Sequence, residues 1–422
     1  MNPKTFIAGS PSEALRMRIV YALFGTAFFL PLNIFALEAC FITAVFMSAY
    51  YTWKYDMHIW RHMPLFWPAA AFSVTAFISL AGSPKALYGV AFYFFTVVQY
   101  FLIYNMIVSF IRGERERRIL LYCFLAGAVC VAVYGLYQYA TMLGLHNAEW
   151  VDADAFPLLQ RRMYSTLYNP NLLSAYLLMV MGITASLSLW TRHNVHRIIY
   201  GVLFVLFTLC LILTYSRGGW VSVFALVFFF GLVWDKRIWL LFLIVPVVLA
   251  FYHGEVVNRL LSVFSNSEDT SVIMRLDMWE STFYMICDHP ILGVGWGAYK
   301  YVYPLYNELI QEAGITIYHA HNMYFNIMAE TGIVGFFFYM WFFFGTAWYG
   351  LRVLKENRDT FDCCIAMGAA SVIAALAVSG ISDYDLFSTQ ISLTLWFLCG
   401  LFSNTYIEMQ KKMKKSLINN SQ

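Results

Sequence analysis

Long apolar runs constrain the fold of this chain more than any other feature. Runs of about 17 to 25 residues, the length at which a helix crosses a bilayer, recur along almost the whole sequence. In hydrocarbon a backbone must satisfy its own hydrogen bonds, which leaves only helices and closed barrels. Barrel strands would alternate polar and apolar residues over about 10 positions, whereas these runs are continuous. With 61% hydrophobic and 12% charged residues, the sequence predicts an all-α protein, a polytopic bundle of membrane-spanning helices.

The hydropathy pattern predicts about twelve spans, with both termini on the same side of the membrane. We place the spans near residues 19–35, 36–52, 64–82, 88–111, 119–143, 170–190, 198–215, 217–234, 238–253, 322–350, 361–380 and 388–407. Of the 27 Lys and Arg residues, 20 then fall on one side, which the bias of basic residues toward inner loops marks as cytoplasmic. The outward side has the remaining seven, which are Lys85, Arg161, Arg162, Arg217, Arg259, Arg275 and Lys300.

The chain is predicted to form a single membrane domain over residues 1–422, with its chemistry on the outward side. The longest polar stretch, residues 254–321, is the outward loop between spans nine and ten. Helical periodicity over 271–289 and a glycine-rich turn at 293–297 predict that this loop folds into a helical cap. Loops of this length are often functional.

Arg217 is the outward basic residue most in need of an explanation. It lies in a very short turn between two strongly apolar segments, and an ionisable residue near membrane depth is a functional candidate. The planar guanidinium donates several hydrogen bonds and suits phosphate. Gly218 and Gly219 favour this function because they permit close backbone approach. The alternative is an arginine that extends into the lipid headgroups.

Three further arginines are candidates for the same chemistry. Arg275 lies on the predicted loop helix, where Asp277 does not face it because the two are only two residues apart. Its alternative is a solvated surface arginine. Arg161 and Arg162 precede Asn169-Pro170-Asn171, at the predicted start of a helix. For one of these two arginines the alternative is a surface charge without a role in phosphate binding.

The segment His319-Ala320-His321-Asn322 ends the long loop where span ten begins. A histidine at this interface is suited to act as a general base near neutral pH. Two alternatives remain open: the histidine pair could ligate a metal, although no third ligand stands at a suitable spacing, or Asn322 could cap the helix while both histidines pack. Asp383 and Asp385 are weak candidates for acidic partners. We predict no metal and no cofactor.

The outward face thus combines arginines with one or two histidines, and it has no nucleophilic serine or cysteine constellation. Arginines imply a phosphate or diphosphate ligand, and a histidine implies deprotonation of an acceptor hydroxyl. The cytoplasmic side has no nucleotide-binding loop, which disfavours a sugar nucleotide or ATP, and no nucleic-acid partner is expected. A lipid diphosphate reached from the membrane fits both facts. The predicted reaction is a single inverting displacement at an anomeric carbon.

Three motifs resemble the O-antigen ligase and polymerase superfamily of bacterial surface-glycan enzymes. They are Thr214-Tyr215-Ser216-Arg217-Gly218-Gly219-Trp220, Arg275 to Trp279 followed by His289-Pro290-Ile291-Leu292-Gly293-Val294-Gly295, and the His319–Asn322 segment with Gly332 eleven positions after His321. Arg162 with Asn169-Pro170-Asn171 is similar to a fourth family motif. The resemblance covers about 162–335.

The resemblance implies a GT-C-like glycosyltransferase of the bacterial inner membrane, with cytoplasmic termini and a periplasmic active site. Its donor would be glycan on undecaprenyl diphosphate, and its acceptor lipid A–core in ligases or a second lipid-linked glycan in polymerases. His321 corresponds to the essential histidine of the family, and Arg217 and Arg275 to its diphosphate-binding arginines. Arg162 corresponds less closely, and His319, Arg161 and Asn322 are supporting neighbours. Twelve spans with one dominant late loop favour the ligase, with the polymerase and the protein O-glycosyl ligase as alternatives.

A transporter of anionic lipid or solute is the main rival from another class. It would place charged residues along a path through the spans and would usually show repeat symmetry. The predicted spans are nearly free of Lys and Arg, and the notable charges gather at one face. This distribution favours an enzyme.

Overall fold

A computed structural model describes residues 10–55, 64–141, 161–191, 193–243, 270–307, 316–356 and 361–420. These residues form helices and connecting turns, with no strand among them. The helices are α1 (Pro11–Phe29), α2 (Ile34–Tyr55), α3 (Phe66–Ser79), α4 (Ala86–Tyr93), α5 (Gln99–Phe110), α6 (Gly113–Thr141), α7 (Pro170–Trp190), α8 (Asn194–Leu213), α9 (Arg217–Val233), α10 (Thr270–Asp288), α11 (Tyr299–Val302), α12 (Met323–Glu356), α13 (Phe361–Ser382) and α14 (Thr389–Asn420). A π-helical segment, Phe94–Val98, joins α4 to α5.

The predicted all-helical membrane fold is confirmed. Among the described residues seven helices are long and apolar enough to cross a bilayer, namely α2, the continuous α4–α5 unit, α6, α7, α8, α12 and α13. The apolar helices α3 and α9 are shorter, and α1 and α14 lie at the first and last predicted spans. The ninth predicted span, 238–253, begins in a 3-10 segment, Lys236–Leu243, and continues outside the described residues. The number of twelve therefore stays a prediction.

Helices α7 and α13 are the most enclosed spans and pack against each other at the centre of the bundle. Gly182 of α7 faces Ser371 and Val372 of α13, and a Cβ at Gly182 would stand 2.8 Å from the Ser371 hydroxyl. The small residue therefore lets the two backbones approach closely, as is common between membrane helices. One end of this helix pair carries Asn171 at the start of α7 and the turn after Ser382 at the end of α13.

At the opposite end of the bundle, predicted to be cytoplasmic, several basic residues pair with carboxylates. The guanidinium of Arg117 and the carboxylate of Asp362 are both buried and lie 2.8 Å apart. Lys412 approaches the second oxygen of Asp362 at 2.9 Å. Because an unpaired charge at this depth would be costly, these contacts fix α6, α13 and α14 against one another.

The helix predicted from periodicity over 271–289 is confirmed by α10. The chain after α10 returns to the bundle and forms three backbone hydrogen bonds with α12: Val294 N donates to Ala329 O at 2.9 Å, Gly295 N to Glu330 O at 3.0 Å, and Ile333 N to Pro290 O at 2.9 Å. The remaining parts of the 254–321 loop, residues 254–269 and 308–315, lie outside the described residues. The cap as a whole stays a prediction.

A break in α12 at Gly332 makes this docking possible. Gly332 has φ 65°, a left-handed conformation that side-chain-bearing residues rarely adopt. A Cβ at this position would overlap the carbonyl oxygen of Ile291. The glycine is thus required twice, once by its own backbone and once by the returning loop.

Candidate functional site

The candidate site lies where the first residues of α7, α9 and α12 meet the last turn of α13. We call this the outward end of the bundle, after the predicted topology. Asn171, Arg217 and His321 reach it from helix starts, and Asp383 follows directly on α13. Helices α10 and α12 add Arg275 and the His319–Asn322 segment. The motifs that lie far apart in the sequence therefore share one end of the molecule.

The centre of the site is a hydrogen bond between His321 and Asp383. The Nδ1 atom of His321 lies 3.0 Å from Oδ1 of Asp383, which also accepts from the backbone N–H of Tyr384 at 2.8 Å. Burial alone would raise the pKa of the Asp383 carboxyl, but the hydrogen bond and charge of His321 hold this pKa well below its usual range. An ionised carboxylate can only accept, so Nδ1 of His321 carries the proton. The other ring nitrogen, Nε2, is then the basic one.

The imidazole of His321 remains accessible. Its side chain is 32% exposed, whereas that of Asp383 is 11% exposed. The backbone of His321 is left-handed, with φ 47°, which is uncommon for a residue with a side chain. A general base needs an accessible imidazole, and the buried carboxylate of Asp383 on the far side of the ring orients it.

Asn171 and Arg162 extend this hydrogen-bonded chain. Nδ2 of Asn171 donates to the second oxygen of Asp383 at 2.7 Å, and Oδ1 of Asn171 accepts from Nη2 of Arg162 at 2.9 Å. Nε of Arg162 donates to the carbonyl of Thr214 at 2.8 Å. Arg162, Asn171, Asp383 and His321 therefore form one continuous relay, and two of the guanidinium donors of Arg162 are used within the protein.

Arg217 is the first residue of α9, beside this relay. The hydroxyl of Ser216 caps the helix by accepting from the N–H of Gly219 at 3.4 Å. A Cβ at Gly218 would stand 2.7 Å from the Ser382 hydroxyl, so the glycine lets the start of α9 approach the residue before Asp383. The sequence predicts that Gly218 and Gly219 allow a close backbone approach. In the structure the close neighbours of these glycines are other helices of the protein.

Arg275 reaches the site from α10. It is half-buried. Burial and the charge of Asp383 raise the pKa of Asp385, and the positive charge of Arg275 opposes this rise. The same charge adds to the effects that lower the pKa of His319 and Asp383, so Arg275 lies near all three groups. One turn further along α10, the indole of Trp279 donates to the carbonyl of Ala320 at 3.0 Å. This bond fixes α10 against the segment that contains His321.

The neighbours of His321 have structural contacts of their own. His319 is buried, its ring stacks on Phe387 with centroids 4.3 Å apart, and its Nδ1 accepts from the backbone N–H of His321 at 3.2 Å. Burial lowers the pKa of His319 to about 3, so it is neutral. Asn322 accepts from the N–H of Phe325 at 3.0 Å and donates to the carbonyl of Ile381 at 2.9 Å. Asn322 thus caps α12 and ties it to α13.

Arg161 points away from the relay. Its guanidinium carbon lies 4.3 Å from the ring centroid of Tyr139, at the end of α6. One of its buried nitrogens, Nη1, has no hydrogen-bond partner among the described residues. Of the two adjacent arginines, Arg162 is therefore the one that contacts the candidate site.

The metal alternative gains a third donor that the sequence analysis did not find. Ligand atoms of His319, His321 and Asp383 lie within 4.8 Å of one another. However, His321 and Asp383 are at hydrogen-bond distance, Nδ1 of His319 already accepts a backbone N–H, and the charge of Arg275 acts on the same cluster. These donors fit a hydrogen-bonded cluster better than a cation site.

Asp383 and Asn171 are the residues whose part in the site the sequence analysis missed. The sequence indicates Asp383 only weakly, as an acidic partner, and Asn171 only as part of a motif. One signal was present: spans ten and eleven are consecutive and antiparallel, so the residue before span ten and the residue after span eleven lie at the same membrane level. Hydropathy cannot say that their side chains touch.

The structure is that of an all-helical membrane protein that gathers a partly exposed imidazole, a buried carboxylate and arginines at one end. Residues 202–340 match the family model described as O-antigen ligase. This match confirms the resemblance to the O-antigen ligase superfamily, whose members are glycosyltransferase-like membrane enzymes. The matched region contains Arg217, Arg275 and His321, whereas Arg162 and Asp383 lie outside it. No curated protein matches the chain.

Proposed function

We propose that this protein is an O-antigen ligase, which moves glycan from undecaprenyl diphosphate to a hydroxyl of lipid A–core at the periplasmic face of the bacterial inner membrane. The observation that carries the proposal is the hydrogen bond between His321 and Asp383, 3.0 Å long. Arg275 is close enough for its charge to act on Asp383, and Arg217 begins α9 at the same end of the bundle. The reaction needs neither a metal nor a cofactor.

In the proposed step, Nε2 of His321 removes the proton of the acceptor hydroxyl. The acceptor oxygen forms a bond to the anomeric carbon while the bond from that carbon to the diphosphate oxygen breaks. Undecaprenyl diphosphate leaves with the electron pair, and the anomeric configuration inverts. Asp383 stabilises the imidazolium that forms, as a buried carboxylate does for a catalytic histidine.

Arg217 and Arg275 are proposed to bind the diphosphate and to stabilise the charge that develops on it. A guanidinium can contact a phosphate through two parallel hydrogen bonds. Arg217 also stands at the start of α9, where the helix dipole favours an anion. Charge stabilisation of this kind is often the largest single contribution to catalysis.

For Arg162 the contacts favour a positioning role over the direct phosphate contact predicted from the sequence. Its Nη2 holds Asn171 and its Nε holds Thr214. Asn171 in turn orients the carboxylate of Asp383. Arg162 thus supports the base through two intermediaries.

A polymerase or a protein O-glycosyl ligase would use the same chemistry on a different acceptor. The test is reconstitution of the full chain in liposomes with undecaprenyl-diphosphate-linked glycan and three separate acceptors: lipid A–core, a second lipid-linked glycan and an acceptor peptide. We expect extension of lipid A–core. Extension of another acceptor alone would replace the ligase by that alternative, and no transfer to any of them would refute the glycosyltransferase.

Two variants complete this experiment. His321→Ala should abolish transfer but retain donor binding, because it removes the base and leaves the arginines. His196→Ala is the matched control, since His196 is exposed at the start of α8, at the opposite end of the bundle. Transfer by His321→Ala at the wild-type rate would refute the general-base assignment.

A further inference from the structure

Lys300 is one of the basic residues predicted on the outward side that the proposed reaction does not use. It lies beside a group of tyrosines. Nζ of Lys300 is 4.4 Å from the ring centroid of Tyr88, 5.0 Å from that of Tyr301 and 5.5 Å from that of Tyr318. Lys300 also donates to the Tyr88 hydroxyl at 3.1 Å. We call Lys300, Tyr88, Tyr301 and Tyr318 the Lys300 aromatic cluster.

Buried residues next to the Lys300 aromatic cluster hold it in place. Tyr299 and Tyr303 are buried and stack with centroids 5.2 Å apart, and the Tyr299 hydroxyl pairs with that of Thr282 at 2.8 Å. Tyr299 of α11 and Tyr303, the residue after this helix, therefore point inward, whereas Lys300 and Tyr301 are partly exposed. The cluster is therefore built on an anchored element.

The tyrosine from α4 is fixed as well. The ring of Tyr88 stacks on that of Phe92 with centroids 5.8 Å apart and meets Tyr301 edge-on at 5.6 Å. Phe92 in turn lies against Gly297, where a Cβ would overlap its ring. Aromatic side chains of α4 and α11 thus share one surface, which also contains the ammonium group of Lys300.

This surface is accessible and lies close to the proposed base along the chain. Tyr318 is 63% exposed and Tyr88 39% exposed. Tyr318 directly precedes His319 and is three residues from His321, so their backbones lie within about 10 Å of each other. A glycan bound on the cluster could therefore extend a hydroxyl toward His321.

We propose that the Lys300 aromatic cluster binds the acceptor glycan, with Lys300 pairing with a phosphate or carboxylate substituent of that glycan. The inference rests on the proposed function. Tyrosine rings offer apolar faces to the C–H faces of sugars and hydroxyls to their edges, and lysine is a compact point charge for an anionic group. Tyrosines also anchor proteins to lipid headgroups. However, Lys300, Tyr301 and Tyr318 belong to the chain between α10 and α12, which also contains His321, and this favours the glycan.

The experiment measures binding of a phosphorylated core oligosaccharide to the purified full-length protein in nanodiscs without donor. Lys300→Gln should weaken binding about tenfold, as the loss of one charged contact does, and Tyr318→Ala should weaken it severalfold. The same oligosaccharide after phosphatase treatment should bind the wild type and Lys300→Gln equally. Lys411→Gln is the matched control, because Lys411 is an exposed lysine at the opposite end of the bundle.

Transfer kinetics separate this inference from the proposed function. In the glycan-transfer assay Lys300→Gln should raise the KM for the acceptor about tenfold and leave kcat and the KM for the donor nearly unchanged. Transfer with an unchanged acceptor KM in both variants would overturn the acceptor site while the ligase stands. If the oligosaccharide binds in a Lys300-dependent way but no glycan is transferred, the proposed ligase function is refuted and the glycan-binding site stands. If phosphatidylglycerol vesicles displace the bound oligosaccharide in a competition experiment, the cluster binds lipid headgroups and the inference is overturned.

Discussion

Nδ1 of His321 and Oδ1 of Asp383 lie 3.0 Å apart although the two residues are 62 positions apart in the chain. Helix α12 begins just after His321, runs across the bundle, and α13 returns to place Asp383 beside it. The pair is backed by Asn171 from α7, so three helices determine the position of one imidazole.

Asp383→Asn should lower the transfer rate by about two to four orders of magnitude, because an amide neither fixes the Nδ1–H tautomer nor stabilises the imidazolium. Donor affinity should change little. Steady-state transfer and lipid-binding measurements test both statements. Asp235→Asn, at the exposed start of the Lys236–Leu243 segment, provides the control. A rate within a factor of three of wild type would show that Asp383 does not support the base.

Arg217→Lys should reduce transfer about ten- to a hundredfold, because the positive charge remains but the two-pronged contact with phosphate is lost. The kinetic assay with varied donor concentration measures this loss. Arg237→Lys, in an exposed position at the other end of α9, should transfer normally. If Arg217→Lys matches the wild type in rate and in donor KM, Arg217 serves only to hold the helix end at the headgroups.

The buried, neutral His319 should make stability depend on pH. Its pKa of about 3 lies below the unfolded value, so between these two values the unfolded chain binds more protons than the folded one. The contribution of neutral His319 to the free energy of unfolding is therefore fully present above about pH 6.5. It is lost as the pH falls toward 3. Between pH 7 and pH 5 the loss should be about 2 kcal/mol. Thermal unfolding in detergent should show a smaller loss for His319→Gln, and equal losses would contradict the assignment.

Gly332→Ala should destabilise the protein more than Gly113→Ala. Both glycines have positive φ, 65° and 67°, so each substitution strains the backbone. Gly332 also has ψ −175°, in a region that is essentially restricted to glycine. A Cβ at Gly113 meets nothing within 4 Å, whereas one at Gly332 overlaps Ile291. The difference in Tm between the variants therefore reports the backbone of Gly332 together with its contact with the returning loop. Equal Tm values would contradict both effects.

Glycan transfer should continue in the presence of a strong chelator. The atoms of His319, His321 and Asp383 are near one another, but His321 and Asp383 already share a hydrogen bond. Assays after dialysis against EDTA, with and without added Mg²⁺, Mn²⁺ or Zn²⁺, test this expectation. If transfer activity disappears with EDTA and returns with one of the ions, His319, His321 and Asp383 form a metal site.

The sequence predicted well those features that depend on one segment at a time. The length and continuity of the apolar runs predicted helices such as α7, found at Pro170–Trp190 where 170–190 was expected. The period over 271–289 likewise predicted α10. Arg217 stood out because a charge in a short apolar turn is costly wherever the neighbouring helices pack.

Features that depend on which helices are neighbours were not accessible in the same way. Asp383 has no local pattern, and only the packing of α13 beside α7 and α12 gives it Asn171 and His321 as partners. The contact of His319 with Phe387 depends on the same packing. Arg162 was expected to face the substrate, but the sequence could not show that Asn171 and Thr214 would take its donors.

The backbone pairing at the Gly332 break has a consequence for how such proteins can diversify. Hydrogen bonds between main-chain groups of residues 290–295 and α12 impose few demands on the side chains that follow, including Lys300 and Tyr301. These residues can therefore be exchanged without shifting the register of the loop or disturbing His321. A lineage could thus change the glycans it accepts by substitution on one short helix while its reaction chemistry is inherited unaltered.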